Sequence, residues 1–253
     1  MAAFVLTQPL GRVESIRDAL LAAGHDCLAM PFSALYAHAD GLSVLARLAP
    51  ADHDRIVFVS PAAVAFAAAA LGTAWQDGDR VCAVGAGTTE ALHEHAVLRP
   101  GTQPIMPPRP PYDADSLMPL IDTDSVHSLL VVKGEGGRRD WLDALRAHGK
   151  RVTEVIVYGS HPVLPDAGVV DALATRLGDG ADVATLLSSR AAISAMVGWQ
   201  PLSPLWSQLT ARPALAVHPN VADRAREAGF RDLRLLQSGQ SLLAGAVALA
   251  AQM

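Results

Sequence analysis

The sequence is poor in cysteine, in aromatic residues and in charge. Among 253 residues there are two cysteines, and aromatic side chains make up 5% of the chain. Two thiols, Cys27 and Cys82, cannot build the framework of a disulfide-stapled secreted domain. Each lies inside an apolar segment, so both read as reduced core residues of a cytoplasmic protein. Charged residues are 18% of the chain and sum to a formal net charge of −5. No basic stripe is present to displace counterions, which excludes a general nucleic-acid binder. The longest apolar run, Ala62 to Gly72, falls short of the roughly 18 residues a membrane span needs. Met1 to Pro9 has neither a basic stretch nor a cleavage site, so no signal peptide is expected.

What is present is aliphatic. Hydrophobic residues reach 51%, mostly Ala, Val and Leu, enough for one large domain or two of ordinary size. Short apolar runs alternate with amphipathic stretches, the pattern of parallel sheets flanked by helices. Ala3 to Thr7, Cys27 to Phe32, Arg55 to Val59 and Arg80 to Val84 read as strands. Arg12 to Ala23, a stretch from Pro61, and a stretch running through His95 read as helices. Pro100 to Tyr112 holds six prolines and reads as a surface loop.

After that loop the pattern restarts. Ser128 to Lys133, Arg138 to Ala147 and Arg151 to Tyr158 repeat the opening strand, helix and strand. Val183 to Leu187 before Ser188-Ser189 mirrors Arg55 to Val59 before Ser60-Pro61. Pro213 to Val217 before His218-Pro219-Asn220 mirrors Arg80 to Val84 before Gly85-Ala86-Gly87. The chain thus reads as two copies of one α/β unit, and such proteins usually hold their ligand between the copies. The repeat alone would divide the chain near Pro108.

Open parallel sheets bind ligands at the carboxyl ends of their strands. Six turns stand there: Thr7-Gln8-Pro9, Ser60-Pro61, Gly85 to Thr89, Gly134 to Arg138, Ser188-Ser189 and His218-Pro219-Asn220. Each opens a helix, whose free N–H groups favour carboxylates or phosphates. Each hydroxyl or amide there also suits a simple helix cap. Nucleotide fingerprints fail in detail. Gly85-Ala86-Gly87 has Glu90 where the third glycine belongs, and the loop after Lys133 lacks Gly-Lys-Ser/Thr spacing. No Cys/His cluster has metal spacing, and Ser60 lacks the glycines of a nucleophile elbow. Tyr158, ending a strand, can donate a proton or order a substrate.

In order and spacing these motifs resemble the uroporphyrinogen-III synthase family over nearly the whole chain. The carriers are Thr7-Gln8-Pro9, Val57 to Val64, Val84 to Thr88, Lys133 to Arg138, Tyr158, Leu187 to Ser189 and His218 to Ala222. The resemblance implies a cytoplasmic, monomeric lyase of heme biosynthesis with no cofactor and no metal. It would close the linear tetrapyrrole hydroxymethylbilane, remove water and invert the terminal pyrrole through a spiro intermediate. It implies two similar α/β domains joined by a two-stranded linker, with the active site in the cleft between them. The first domain would be residues 1–34 plus 162–253, the second 35–161. Tyr158 would be the catalytic proton donor. Thr7, Ser60, Pro61, Gly85, Thr88, Thr89, Lys133, Gly134, Gly137, Arg138, Ser188, Ser189 and Asn220 would bind substrate. No nucleic acid or membrane would be engaged, and contact with the preceding enzyme would be transient. The chain departs from the family where Gln8 replaces an arginine and where Asn220 and Val221 stand in place of a threonine. Another class fits two copies around a cleft: a two-lobed small-molecule binding or sensor protein without catalysis. A third possibility is a synthase-like domain that has lost activity and serves as a partner module.

Overall fold

The computed structural model describes residues 1–71, 79–109, 112–237 and 240–253. Gly72, the last residue of the long apolar run, and residues 110–111 of the proline-rich segment lie outside the described residues. The chain runs β1 (Ala3–Leu6), α1 (Val13–Ala22), β2 (Asp26–Ala29), β3 (Ser33–Ala37), α2 (Ala39–Leu45), β4 (Arg55–Phe58), α3 (Pro61–Ala67), β5 (Val81–Ala83) and α4 (Ala86–Glu94). It continues through α5 (Ala114–Ile121), β6 (Ser128–Gly134), α6 (Asp140–Ala147), β7 (Arg151–Pro162), α7 (Gly168–Gly178), β8 (Val183–Leu187) and α8 (Arg190–Gly198). It closes with α9 (Trp206–Thr210), β9 (Ala214–Ala216), α10 (Pro219–Glu227), β10 (Leu233–Leu235) and α11 (Leu242–Ala250).

These elements form two compact units. One comprises Met1–Leu35 with His161–Met253, the other Tyr36–Ser160. The chain passes between units within β3 and within β7.

The first unit holds the sheet β10-β9-β8-β1-β2, with these strands paired in parallel. Both faces are covered, so its strands read as apolar runs rather than alternations. Val5, Leu28 and Val183 face one core with Leu173 of α7, Ile193 of α8 and Ala225 of α10. Phe4, Leu6 and Leu186 face the other with Ile16 and Leu20 of α1 and Ala246 of α11. The second unit holds β3-β7-β6-β4-β5, parallel from β7 to β5. Ile56, Phe58 and Val132 face Leu45 of α2, Val64 of α3 and Leu92 of α4. Val57 and Val131 face Leu117 of α5 and Trp141 of α6. Every residue of β6 is buried.

The repeat has a topological counterpart. The strands it matches stand in the order β9-β8-β1-β2 in one unit and β5-β4-β6-β7 in the other. In each sheet the chain winds outward in both directions from a central pair, β8/β1 and β4/β6. Such a switch point leaves a crevice at the carboxyl ends of the strands, because the connections diverge from it.

Local differences have local causes. The second strand stops at Ala29 rather than Phe32, because the chain turns to enter β3. Cys27, expected in the core, is only partly buried, on the edge strand β2. Its thiol is pushed up to about 11, by burial and then by the neighbouring Asp26 carboxylate. Cys82 is buried and pushed up to about 12, chiefly by burial. Both therefore stay protonated, unreactive thiols near neutral pH. Among the described residues no helix is long and apolar enough to cross a membrane.

Candidate functional site

The switch point of the second unit gathers most of the expected residues. Ser60 follows β4 and caps α3, its Oγ accepting the Ala63 N–H at 3.1 Å. Pro61 takes the first helical position, where its missing N–H costs nothing. Tyr158 comes from β7, two strands away in the sheet, and its hydroxyl lies 3.1 Å from Ser60 Oγ.

The phenol crosses the end of β6 because Gly134 is there. A Cβ at Gly134 would fall on the Tyr158 ring. The pairing of β6 with β7 also shifts register between Lys133 and Gly134. Glu135 N–H donates to the Tyr158 carbonyl at 2.9 Å, and Phe66 stacks on the ring at 5.5 Å and 11°. The ring is thus fixed at its backbone, its face and its tip. Gly134→Ala must therefore displace the ring and lengthen the Ser60–Tyr158 contact. We expect a fall of at least tenfold in any activity that uses that hydroxyl, checked by kinetics beside a circular dichroism spectrum that stays unchanged.

Ser60 Oγ already accepts from Ala63, and with one proton and a second lone pair it can either donate to the Tyr158 hydroxyl or accept from it. When Ser60 donates, the phenol proton is available to a third group.

Beside this pair stands the turn after β5. Gly85 caps α4 in an extended conformation, and a Cβ there would come within 3.0 Å of Tyr112 Cβ. Thr88 is buried, and Thr89 Oγ1 donates to the Gly85 carbonyl at 3.4 Å. A Cβ at Gly87 would lie 3.6 Å from Pro61 Cγ, so the two turns are neighbours. Gly136 and Gly137, with φ of +71° and +80°, let the loop after β6 turn without strain.

The two basic residues expected to bind substrate here, Lys133 at the end of β6 and Arg138 in the loop, are committed within the unit. Lys133 is buried and its Nζ lies 3.3 Å from Glu154 Oε2. Its side chain leaves the same sheet face as Leu129 and Val131, whereas Tyr158 packs against the opposite core. The structure therefore does not bring its ammonium to Ser60 and Tyr158. Arg138 makes a bidentate pair with Asp115 at 2.8 and 3.2 Å and contacts Asp140 at 2.5 Å. These carboxylates hold its guanidinium above its usual range. A substrate carboxylate would have to displace them.

Two residues near this loop, Tyr36 and His38, gave no sequence signal, and both meet Glu135. Tyr36 of β3 donates to Glu135 Oε2 at 2.9 Å, and His38 Nε2 lies 3.8 Å from Glu135 Oε1. The hydrogen bond to Glu135 raises the Tyr36 phenol above its ordinary value. Tyr36 lies against Gly159, where a Cβ would meet its ring.

In the first unit Thr7 and Ser188 meet at the β1/β8 switch point, but their hydroxyls serve each other. Thr7 Oγ1 donates to the Leu186 carbonyl at 2.8 Å and accepts the Ser188 N–H at 3.0 Å. Ser188 Oγ donates to the Thr7 carbonyl at 2.7 Å, and Thr7 is fully buried. Thr7 is thus a clasp between two strand ends. Thr7→Val should cost about 1–3 kcal/mol in urea unfolding, because it strands the Ser188 N–H. Ser189 caps α8, accepting the Ala192 N–H at 3.0 Å. Asn220 is exposed. Its N–H donates to His218 Nδ1 at 3.2 Å and its carbonyl accepts from Arg190 at 3.3 Å. The cap of α10 is therefore His218, a residue type that sequence rules for capping do not favour. Among the described residues no group of three or more His, Cys, Asp or Glu side chains is placed to hold a metal ion.

Residues 14–235 match the profile of the family described as uroporphyrinogen-III synthase HemD. The chain belongs to the uroporphyrinogen-III synthase family. No curated relative matches it by sequence. A solved uroporphyrinogen III synthase from Thermus thermophilus is 20% identical, with 100% of each chain covered and a TM-score of 0.54. The uroporphyrinogen-III synthetase of Helicobacter pylori is 12% identical, with 99% of this chain and 100% of that one covered and a TM-score of 0.51. At such identities the likeness speaks for the fold, a mixed α/β architecture with parallel sheets flanked by helices. Family membership rests on the profile, whose matched span includes Ser60, Gly134, Tyr158 and Ser189.

Proposed function

We propose that this chain acts as a lyase that converts hydroxymethylbilane to uroporphyrinogen III in heme biosynthesis, with Tyr158 as proton donor. The observation that carries the assignment of roles is the Ser60–Tyr158 hydroxyl pair at the β4/β6 switch point. The substrate's terminal hydroxymethyl carbon is activated by its own pyrrole nitrogen. Protonation of that hydroxyl by the phenol lets it leave as water. Ser60 lies where it can donate a hydrogen bond to the phenolate left behind, and that phenolate takes back the proton the far pyrrole loses when the ring closes. The electron-poor carbon is then attacked by the far pyrrole, and the spiro intermediate reopens to give the inverted ring.

Closure without inversion is chemically easy, so the protein's main task is to hold one conformation. The substrate is rich in carboxylates, and a chain of net charge −5 does not attract it in bulk. Helix N-termini and hydroxyls suit that task, because they hold carboxylates locally without adding net charge. On this reading the turn of Gly85, Thr88 and Thr89 holds a substrate carboxylate. The chain would work as a cytoplasmic monomer whose contact with the enzyme that makes its substrate is transient.

The test is a coupled reaction. Hydroxymethylbilane is generated enzymatically, the protein is added, and the oxidised porphyrins are separated by chromatography. Isomer III is the expected product. Isomer I alone, from protein with a cooperative melt, overturns the reading.

A further inference from the structure

The last residues of β7 are gripped one after another. α2 starts so close to β7 that a Cβ at Gly41 would fall on the Ile156 carbonyl. His38 N–H donates to the Val157 carbonyl at 3.0 Å, and Glu135 N–H donates to the Tyr158 carbonyl at 2.9 Å. At Gly159 a Cβ would meet both the Tyr36 ring and Glu135 Oε2. All of these groups belong to the second unit.

One side chain joins the grips. Glu135 Oε2 accepts from the Tyr36 hydroxyl at 2.9 Å, and Glu135 Oε1 lies 3.8 Å from His38 Nε2. His38 Nδ1 is already an acceptor, taking the Gly41 N–H at 3.3 Å as the cap of α2. In the neutral ring the proton therefore sits on Nε2, the nitrogen that faces Glu135. A device used one strand away is repeated here. Tyr158 crosses Gly134 to reach Ser60, and Tyr36 crosses Gly159 to reach Glu135. The second crossing spans the segment that carries the phenol of the first. The Tyr36–Glu135 bond is exposed, so it contributes little to global stability. What it fixes is local: the path of the backbone at Tyr158.

We propose that Glu135 is a positioning residue: by tying Tyr36 and His38 together over Gly159 it holds the backbone at Tyr158 and keeps the phenol against Ser60 Oγ. The proposal rests on the proton-donor role assigned above to Tyr158. A donor moved by a fraction of an ångström loses rate steeply, while a substrate held by other residues binds as before. The effect of Glu135 therefore belongs in kcat and must pass through the Tyr158 hydroxyl.

The test measures isomer III formation from enzymatically generated hydroxymethylbilane, with thermal melts alongside. Glu135→Ala should lower kcat about tenfold, leave KM within about twofold and hardly move the melt. Tyr36→Phe, whose ring stays against Gly159, should reproduce most of that loss. Glu135→Gln keeps an oxygen for the Tyr36 hydroxyl and should restore most of the rate. The deciding comparison places Glu135→Ala in the Tyr158→Phe background. With no phenol hydroxyl left to position, it should change kcat by less than about twofold. An equal loss in both backgrounds is the mark of a general structural effect and overturns the proposal. Full kcat in Glu135→Ala, or no recovery in Glu135→Gln, overturns it as well. Full kcat in Tyr158→Phe removes the donor itself, and isomer I alone from the wild type overturns the assigned function. Either result ends this role for Glu135, and neither arises from a failure at Glu135 alone.

Discussion

Tyr158→Phe should slow isomer III formation about 100-fold or more, the scale of a positioned proton donor, while hardly changing the melt. The ring keeps its stack on Phe66 and its place over Gly134, and Ser60 keeps its capping bond to Ala63. Only one hydroxyl is lost, and that hydroxyl faces Ser60 at 3.1 Å. The loss should appear in kcat at saturating substrate, with spontaneous isomer I growing as a share of the product. Full kcat in this variant would leave Tyr158 no part in proton transfer. The packing explains why the experiment is clean. The phenol is held by ring and backbone contacts that phenylalanine reproduces.

Glu154→Gln should cost about 3–5 kcal/mol in urea unfolding, the usual result of breaking one side of a buried ion pair. Glu154 takes Lys133 at 3.3 Å, Arg146 at 2.6 Å and Arg139 at 3.0 Å. Lys133 is the partner that matters, because it is itself buried and has nowhere to go. The exposed Arg139 adds little. Burial pushes the Glu154 carboxyl up, but Arg146, Lys133 and Arg139 together outweigh it and hold it below its ordinary value. Its folded value is therefore below its unfolded one. The stability it contributes is present above the unfolded value and is lost as pH falls through the folded one. Glu154→Gln should flatten the acid limb of the stability profile, and an unchanged limb would show that this carboxylate is not what sets it.

The strands were the most readable part of this sequence. Residues 56–58 and 129–132 are unbroken apolar runs, and residues 183–187 are broken only by Thr185, because both sheet faces are covered. Ser or Gly follows each of them where the chain must turn into a helix. Other elements left no such trace. Helix α5 carries Pro119 inside it, which reads as a helix breaker, and α11 is apolar on every side, so it shows no amphipathic period. Strand β10 is three residues long, with two of them exposed.

The site was legible as residue types at strand ends, and its pairings were not. Ser60 and Tyr158 are 98 positions apart, and nothing in spacing says that β7 reaches β4 across a glycine. Lys133 carried a misleading signal. Its charge drew it into the list of substrate contacts, although period-two alternation puts it with Leu129 and Val131, away from Tyr158.

The order of strands in the first unit sets a timetable for synthesis. β1 pairs with β2 on one side and with β8 on the other, Ala3 beside Val183, and every residue of the second unit lies between them in the chain. At roughly 5–20 residues per second, β1 waits on the order of ten seconds or more for β8 to leave the ribosome. Until then one edge of its ladder and one face of Phe4 have no partner. The second unit, continuous from Tyr36 to Ser160, has all its strands in hand by the time β8 begins to emerge. A nascent chain halted before Val183 thus holds a complete second unit and half of the first. That half is the stretch most in need of a chaperone.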